Sequence, residues 1–176
     1  MLADDRLPAR THQVCAVTVP GSGDRYLVDV GFGGQTLSSP IRLAVDEVQA
    51  TRHEPYRLRR VGDELMLEAL VRETWQPLYR FSEGPQPQID LEVGSWYVST
   101  HPESVFVVGL SAARVTDDAR WNLRGRNLAV HGRDGTSTRT RFDSAEEVME
   151  VLQRDFAINL DGLTGVRDRV TEVLDT

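Results

Sequence analysis

Two side chains with complementary acid–base chemistry stand on either side of a glycine-rich turn near the start of the chain: His12, in THQVCAVTV, and Asp29, in YLVDVGFGG. An imidazole that moves a proton through one ring nitrogen is helped by a carboxylate that accepts the N–H of the other. The carboxylate fixes the tautomer and stabilises the imidazolium that forms. Asp29 lies between two valines in what otherwise reads as a buried strand, which raises the question of its partner. The sequence also holds a single cysteine, Cys15, and a thiol activated by histidine is an acyl carrier. Cys15 is three positions from His12, however, so a regular strand points the two to opposite faces. It alternates with Val17 and Val19, a core-like pattern that favours packing as a small hydrophobe. The candidate pair is therefore His12 with Asp29.

To meet, the segments carrying them must form a hairpin. HQVCAVTV (12–19) and RYLVDVGF (25–32) read as strands and PGSGD (20–24) as the turn between them. Facing residues of an antiparallel pair share a face and have a constant sum of residue numbers. The sum for His12 and Asp29 is odd, so they share a face if the loop holds an even number of residues, as 20–23 does. An odd loop, 20–24, puts them on opposite faces unless a bulge corrects the register. The sequence leaves both open. GFGG lacks the spacing of a phosphate loop. Its glycines let a backbone approach a ligand closely, and Phe32 offers a flat apolar face to an aromatic molecule.

Short strands follow at EPYRLRRV, ELMLEALV and QPLYRF, separated by GD and ETW, a spacing that suggests a sandwich or barrel. GPQPQ (84–88) breaks this run. IDLEVGSWYVST (89–100) is predicted to be a helix and a hinge between two parts. Strands are predicted at VFVVGLSAARVT (105–116), NLAVHG (127–132) and STRTRF (137–142). SAEEVMEVLQRDF (144–156) carries the clearest helix signal. Ser144 and Glu147 make an S-x-x-E capping box, and Val148, Val151, Leu152 and Phe156 line one face. VRDRVTEVL (166–174) reads as a terminal helix, and residues 1–10 as an extended leader. The outline is β-rich α+β.

The chain has 176 residues, 40% of them hydrophobic, and a formal net charge of −7. That charge argues against broad nucleic-acid binding. Two arginine groups, Arg52, Arg57, Arg59 and Arg60, then Arg120, Arg124 and Arg126, are candidates for holding a small polyanion. The leader carries acids and no apolar segment, so no signal peptide is expected. No run approaches membrane-spanning length. One cysteine allows no intrachain disulfide and fits a cytoplasmic location. His53, His101 and His131 show no metal-ligand spacing with one another or with Cys15, so no metal is expected. They read as surface or loop residues, and Trp75, Trp96 and Trp121 as core or hinge packing.

Taken together, RTHQV, YLVDVGFGG, SPIRL, RHEPYRL, WQPLYRF and WYVSTHPESVF resemble the arylamine N-acetyltransferases of actinobacterial type, over nearly the whole chain from Thr11 to the last helix. Members have an N-terminal helical domain, a β-barrel domain and an α/β lid joined by a helix. The resemblance implies the last two parts here: a β-barrel over residues 1–88, an interdomain helix over 89–104 and an α/β lid over 105–176. It implies acetyl transfer from acetyl-CoA to arylamines or hydrazines by a ping-pong Cys-His-Asp mechanism, with His12 as the base and Asp29 as its orienter. Gly31, Phe32 and Gly33 match the loop lining the acyl and coenzyme A pocket. Thr11 matches a position near the coenzyme, and Phe106 an aromatic residue of the acceptor pocket. The family's nucleophilic cysteine lies in an Arg-Gly-Gly-x-Cys motif, which these 176 residues do not contain. The expectation is an N-terminally shortened chain, inactive alone, whose uncovered barrel face invites self-association or a missing N-terminal domain. The alternative is a non-catalytic remnant or module that keeps a pocket for CoA or an aromatic ligand.

Overall fold

The structure, a computed structural model, describes residues 10–175. The leader expected over 1–10 lies outside the described residues except for Arg10. Strands β1 (Cys15–Thr18) and β2 (Arg25–Val28) form the expected hairpin. Cys15 faces Val28 and Thr18 faces Arg25, and the Val19 N–H closes the turn on the Asp24 carbonyl at 2.8 Å. The loop is thus residues 20–23, an even number, and it places His12 and Asp29 on one face. Both strands are shorter than predicted, so His12 precedes β1 and Asp29 follows β2.

The inward face of this hairpin is that of Val14 and Leu27, which pack into the first core. The alternation of Cys15, Val17 and Val19 marks the outer face instead. All three are exposed, which corrects the expectation that Cys15 packs in the core. Period-2 alternation separates two faces without saying which one meets the interior.

β2 also pairs with β3 (Ile41–Arg42), giving a sheet ordered β1-β2-β3. A meander follows: β4 (Tyr56–Val61), β5 (Glu64–Val71) and β6 (Thr74–Phe81). Tyr56, Leu58, Leu65, Leu67 and Ala69 turn inward and join Leu27 in the first core. The β5–β6 turn runs through Arg72 and Glu73, both with left-handed backbone (φ 48° and 65°). Further along this hairpin Tyr79 faces Leu67 but Pro77 faces Glu68, so the ladder skips Leu78. Proline donates no ladder hydrogen bond and suits such an irregular site on an edge strand.

The sheets do not close. Among the described residues the strands form separate sheets ordered β1-β2-β3, β4-β5-β6 and β10-β9-β8-β7. This overturns the β-barrel expected for the first part. β3 is two residues long, and the segment after it reaches β4 only through isolated bridges, Val45 to Leu58 and Gln49 to Tyr56. Such contacts make no continuous ladder around a barrel.

The helix expected over 89–100 is present as α1 (Gln88–Thr100). It buries no residue, and Trp96 on it is 63% exposed. Where a strand was expected from residue 105, a single turn of helix, α2 (Val105–Val108), forms instead. The Ser104 hydroxyl caps it by accepting the Phe106 N–H, and this local bond outweighs the strand preference of the valines. β7 (Ser111–Val115), β8 (Ala119–Arg124), β9 (Asn127–Gly132) and β10 (Ser137–Arg141) build the four-stranded sheet. β8 was not predicted. Helices α3 (Ala145–Arg154) and α4 (Val166–Leu174) match their predictions. Val148, Val151 and Leu152 of α3 join Leu123 and Leu128 of the sheet and Val170 of α4 in a second core.

The capping box forms as read from the sequence, with Ser144 and Glu147 each accepting the other's backbone N–H. Ser144→Ala leaves one helix donor unpaired. The expected cost is roughly 1 kcal/mol, read as a lower urea midpoint at constant m-value; an unchanged midpoint would show that the box contributes nothing.

Candidate functional site

The Asp29 side chain has no exposed surface. A buried charge needs donors, and three segments supply them. His12 Nε2 lies 3.0 Å from Asp29 Oδ2. The Tyr79 hydroxyl donates to the same oxygen at 2.7 Å. The Gly31 N–H donates to Oδ1 at 3.0 Å. An ionised carboxylate only accepts, so Nε2 carries the proton in this pair; in the neutral imidazole the lone pair is then on Nδ1, turned away from Asp29.

Packing fixes the imidazole as well. The rings of His12, Phe32 and Tyr79 form a triangle with centroids 5.3, 5.1 and 4.8 Å apart. Both rings meet His12 in edge-type geometry, which aromatic quadrupoles favour. The His12 side chain is 27% exposed, so the ring is held by neighbours yet open on one side.

The electrostatics follow from these contacts. Burial works against charge on Asp29, but the hydrogen bonds from His12, Gly31 and Tyr79 together outweigh it and hold its pKa below the ordinary carboxylate value. Burial, reinforced by the bond to Asp29, pushes the Tyr79 phenol well above its usual range, so Tyr79 stays a donor. The arrangement can keep an imidazole in one tautomer with a basic nitrogen presented outward, which is the requirement for general-base chemistry.

The structure brings together His12, Asp29, Gly31 and Phe32. Gly33 has a left-handed backbone (φ 96°), and its carbonyl accepts both the N–H and the hydroxyl of Thr36, making a turn just beyond Phe32. Thr11 is exposed and adjacent to His12 in the chain. Phe106 is on α2, 65% exposed, and is not one of the rings around His12. Cys15 sits on the outer face of β1, away from His12.

Tyr79 was missed by sequence reasoning. The one available signal is its place in QPLYRF, a strand whose inward face depends on the skipped Leu78. The arginine groups are largely engaged in pairs: Arg52 with Asp117, Arg57 with Glu68, Arg59 with Asp46, Arg120 with Glu54 and Arg126 with Asp175. These five of the seven arginines considered for a small polyanion each already face a carboxylate. His53 is also unlike a surface residue, because both its ring nitrogens are buried. Among the described residues no group of three or more His, Cys, Asp or Glu is arranged to hold a metal ion, and no helix is long and apolar enough to cross a membrane.

Comparison with known proteins bears on this site. A family model described as N-acetyltransferase matches residues 1–164. The arylamine N-acetyltransferase of Mycolicibacterium smegmatis is 64% identical over 179 aligned residues, covering 100% of this chain and 65% of the relative. That of Mycobacterium tuberculosis strain H37Rv is 57% identical, covering 89% of this chain and 55% of the relative. The chain thus spans less than two thirds of the length of these curated relatives. Among solved structures, M. smegmatis arylamine N-acetyltransferase superposes with a TM-score of 0.93 at 62% identity, covering 99% of this chain and 64% of that one. Mycobacterium marinum arylamine N-acetyltransferase in complex with CoA gives 0.91 at 52% identity, covering 99% and 64%.

A carboxylate held below its ordinary pKa, 3.8, stabilises the fold fully above that value and loses its contribution as pH falls through the lower, folded value. Tyr79→Phe removes one donor, so the acid limb of the urea-midpoint profile is expected to move to higher pH. Asp29→Asn is expected to flatten that limb. Wild-type slopes in both variants would show that Asp29 is not held by these bonds.

Proposed function

Because this chain belongs to the arylamine N-acetyltransferase family, we propose that it supplies the base and the orienting carboxylate for thiol-mediated acetyl transfer from acetyl-CoA to an arylamine or hydrazine. The observation that carries this is the buried Asp29 carboxylate 3.0 Å from His12 Nε2. In the proposed reaction Asp29 keeps the proton on Nε2, and Nδ1 takes the proton of a thiol. Asp29 stabilises the imidazolium so formed. The thiolate attacks the thioester carbonyl of acetyl-CoA, and CoA leaves with a proton returned through Nδ1. The amine nitrogen then attacks the acyl-thiol carbonyl. Nδ1 removes its excess proton and returns it to the departing sulfur, so the acetamide leaves and the thiol is regenerated.

Cys15 is not that thiol in this proposal, because it lies on the opposite face of the hairpin from His12. The thiol is proposed to come from outside these 176 residues, so the chain alone should not turn over. Gly31, Phe32 and Gly33, with Thr11 beside His12, are assigned to the coenzyme and acyl side of the site, and Phe106 to the ring of the amine. An exposed free thiol at Cys15 suits a reducing, cytoplasmic setting.

The test is a chimera in which this chain replaces the matching segment of the Mycolicibacterium smegmatis relative. Arylamine-dependent CoA release from acetyl-CoA is expected. It should fall by about a thousandfold in kcat/KM in His12→Gln or Asp29→Asn and stay unchanged in Cys15→Ser. The 176-residue chain by itself should release no CoA above background. A folded chimera that keeps its rate without His12, or a chain that acetylates Cys15 and passes the acetyl group to the amine, would refute the assignment.

A further inference from the structure

Arg120 is among the most deeply buried charges in the described chain, at 3% exposure. It projects from β8 and reaches the loop that follows Asp29. Its guanidinium forks onto Glu54, with Nε 3.0 Å from Oε2 and Nη2 2.7 Å from Oε1. Nη2 also donates to the Tyr56 hydroxyl at 3.0 Å. Nη1 donates to the backbone carbonyls of Thr36 at 2.9 Å and Gly34 at 3.3 Å. Each of the three guanidinium nitrogens thereby donates at least one hydrogen bond. The Tyr56 hydroxyl in turn lies 2.5 Å from Glu54 Oε1, which completes the cluster.

Two positions along the same face of β8, Asn122 packs against Gly34. A Cβ at Gly34 would lie 2.5 Å from Asn122 Oδ1. β8 therefore meets this loop in two ways, through hydrogen bonds to its carbonyls and through the Asn122 amide, which fills the space beside Gly34. The held residues run directly into the site. Gly33 makes the turn with Thr36, Phe32 packs on His12, and Gly31 donates to Asp29. Only a few rigid peptide planes separate the Gly34 carbonyl from the Gly31 N–H. Arg120 itself touches no reacting atom.

We propose that Arg120 is a positioning residue: by holding the Gly34 and Thr36 carbonyls it fixes the loop that presents the Gly31 N–H to Asp29 and the Phe32 ring to His12. The β7–β10 sheet then sets the geometry of a pair carried by other elements. Its consequence for catalysis rests on the acetyl-transfer proposal above, whereas its consequence for the geometry of the pair does not.

The experiment is NMR on the 15N-labelled 176-residue chain without any ligand, comparing wild type with Arg120→Lys, which keeps the charge and loses the fork, and with Gly34→Ala. The Gly34 backbone accepts alanine, since its φ is outside the left-handed range. Two signals report on the site: the Gly31 amide proton, and the His12 ring nitrogens, whose separation reads the tautomer. The expected result is an upfield move of Gly31 and loss of the His12 tautomer preference, with α3 amides unmoved. Adding Asn122→Ala to Gly34→Ala should restore both signals. If Arg120→Lys does not fold, Gly34→Ala and its double variant decide alone. Folded variants that are less stable but keep wild-type Gly31 and His12 signals would overturn the proposal, because a merely structural Arg120 gives that result. In an active chimera, Arg120→Lys is expected to lower kcat by about tenfold to a hundredfold. An inactive chimera would count against acetyl transfer and leave the NMR result standing.

Discussion

A carboxylate with no exposed surface is stable as an anion only where donors fill its oxygens, and around Asp29 they come from three places in the chain. That requirement constrains much of the first half of the fold. His12 must reach Asp29 across the first hairpin, so the loop must hold an even number of residues. Tyr79 must arrive from β6, so the ladder must skip a residue to turn it inward. Gly31 must bend back, so β2 must end at Val28, just before Asp29. Each is a local irregularity when viewed alone, and together they serve one buried charge.

The two apolar cores would hold their own elements together without this precision, because hydrophobic burial is non-directional. What links the β7–β10 sheet to the Asp29 loop is polar: Arg120, Glu54, Tyr56 and two backbone carbonyls. A buried ion pair is often no more stabilising than well-packed apolar residues of similar volume. Its distinguishing property is that it accepts only one arrangement of its partners. That makes it suited to fixing a loop against a sheet, where a greasy contact would tolerate sliding.

The sequence showed His12, Asp29 and their hairpin because a strand period and a turn cluster are local signals. The S-x-x-E box at Ser144 was legible for the same reason. Cys15 was misplaced because alternation distinguishes faces without orienting them. Tyr79 was out of reach because its approach to Asp29 depends on a register shift that no local pattern records. β8 escaped notice because ARWNLR carries its inward arginine and asparagine where apolar residues were sought, and their burial depends on partners far along the chain. VFVV has strand composition, while the Ser104 cap favours a helical turn there, α2. The barrel failed because closure is a property of how strands meet, and the short β3 leaves the sheets apart.

The Arg72–Glu73 turn has a consequence for how this sequence can change. Both residues adopt a backbone that Asn-Gly adopts with little strain and that long side chains adopt at roughly 1 kcal/mol each or more. The hairpin that delivers Tyr79 therefore sits short of its thermodynamic optimum, as natural proteins commonly do. Selection for heat resistance would have an accessible route there, an Arg72→Asn, Glu73→Gly exchange at a surface tip. Gains made at that tip would leave room elsewhere for mutations near His12 that alter chemistry at a cost in stability.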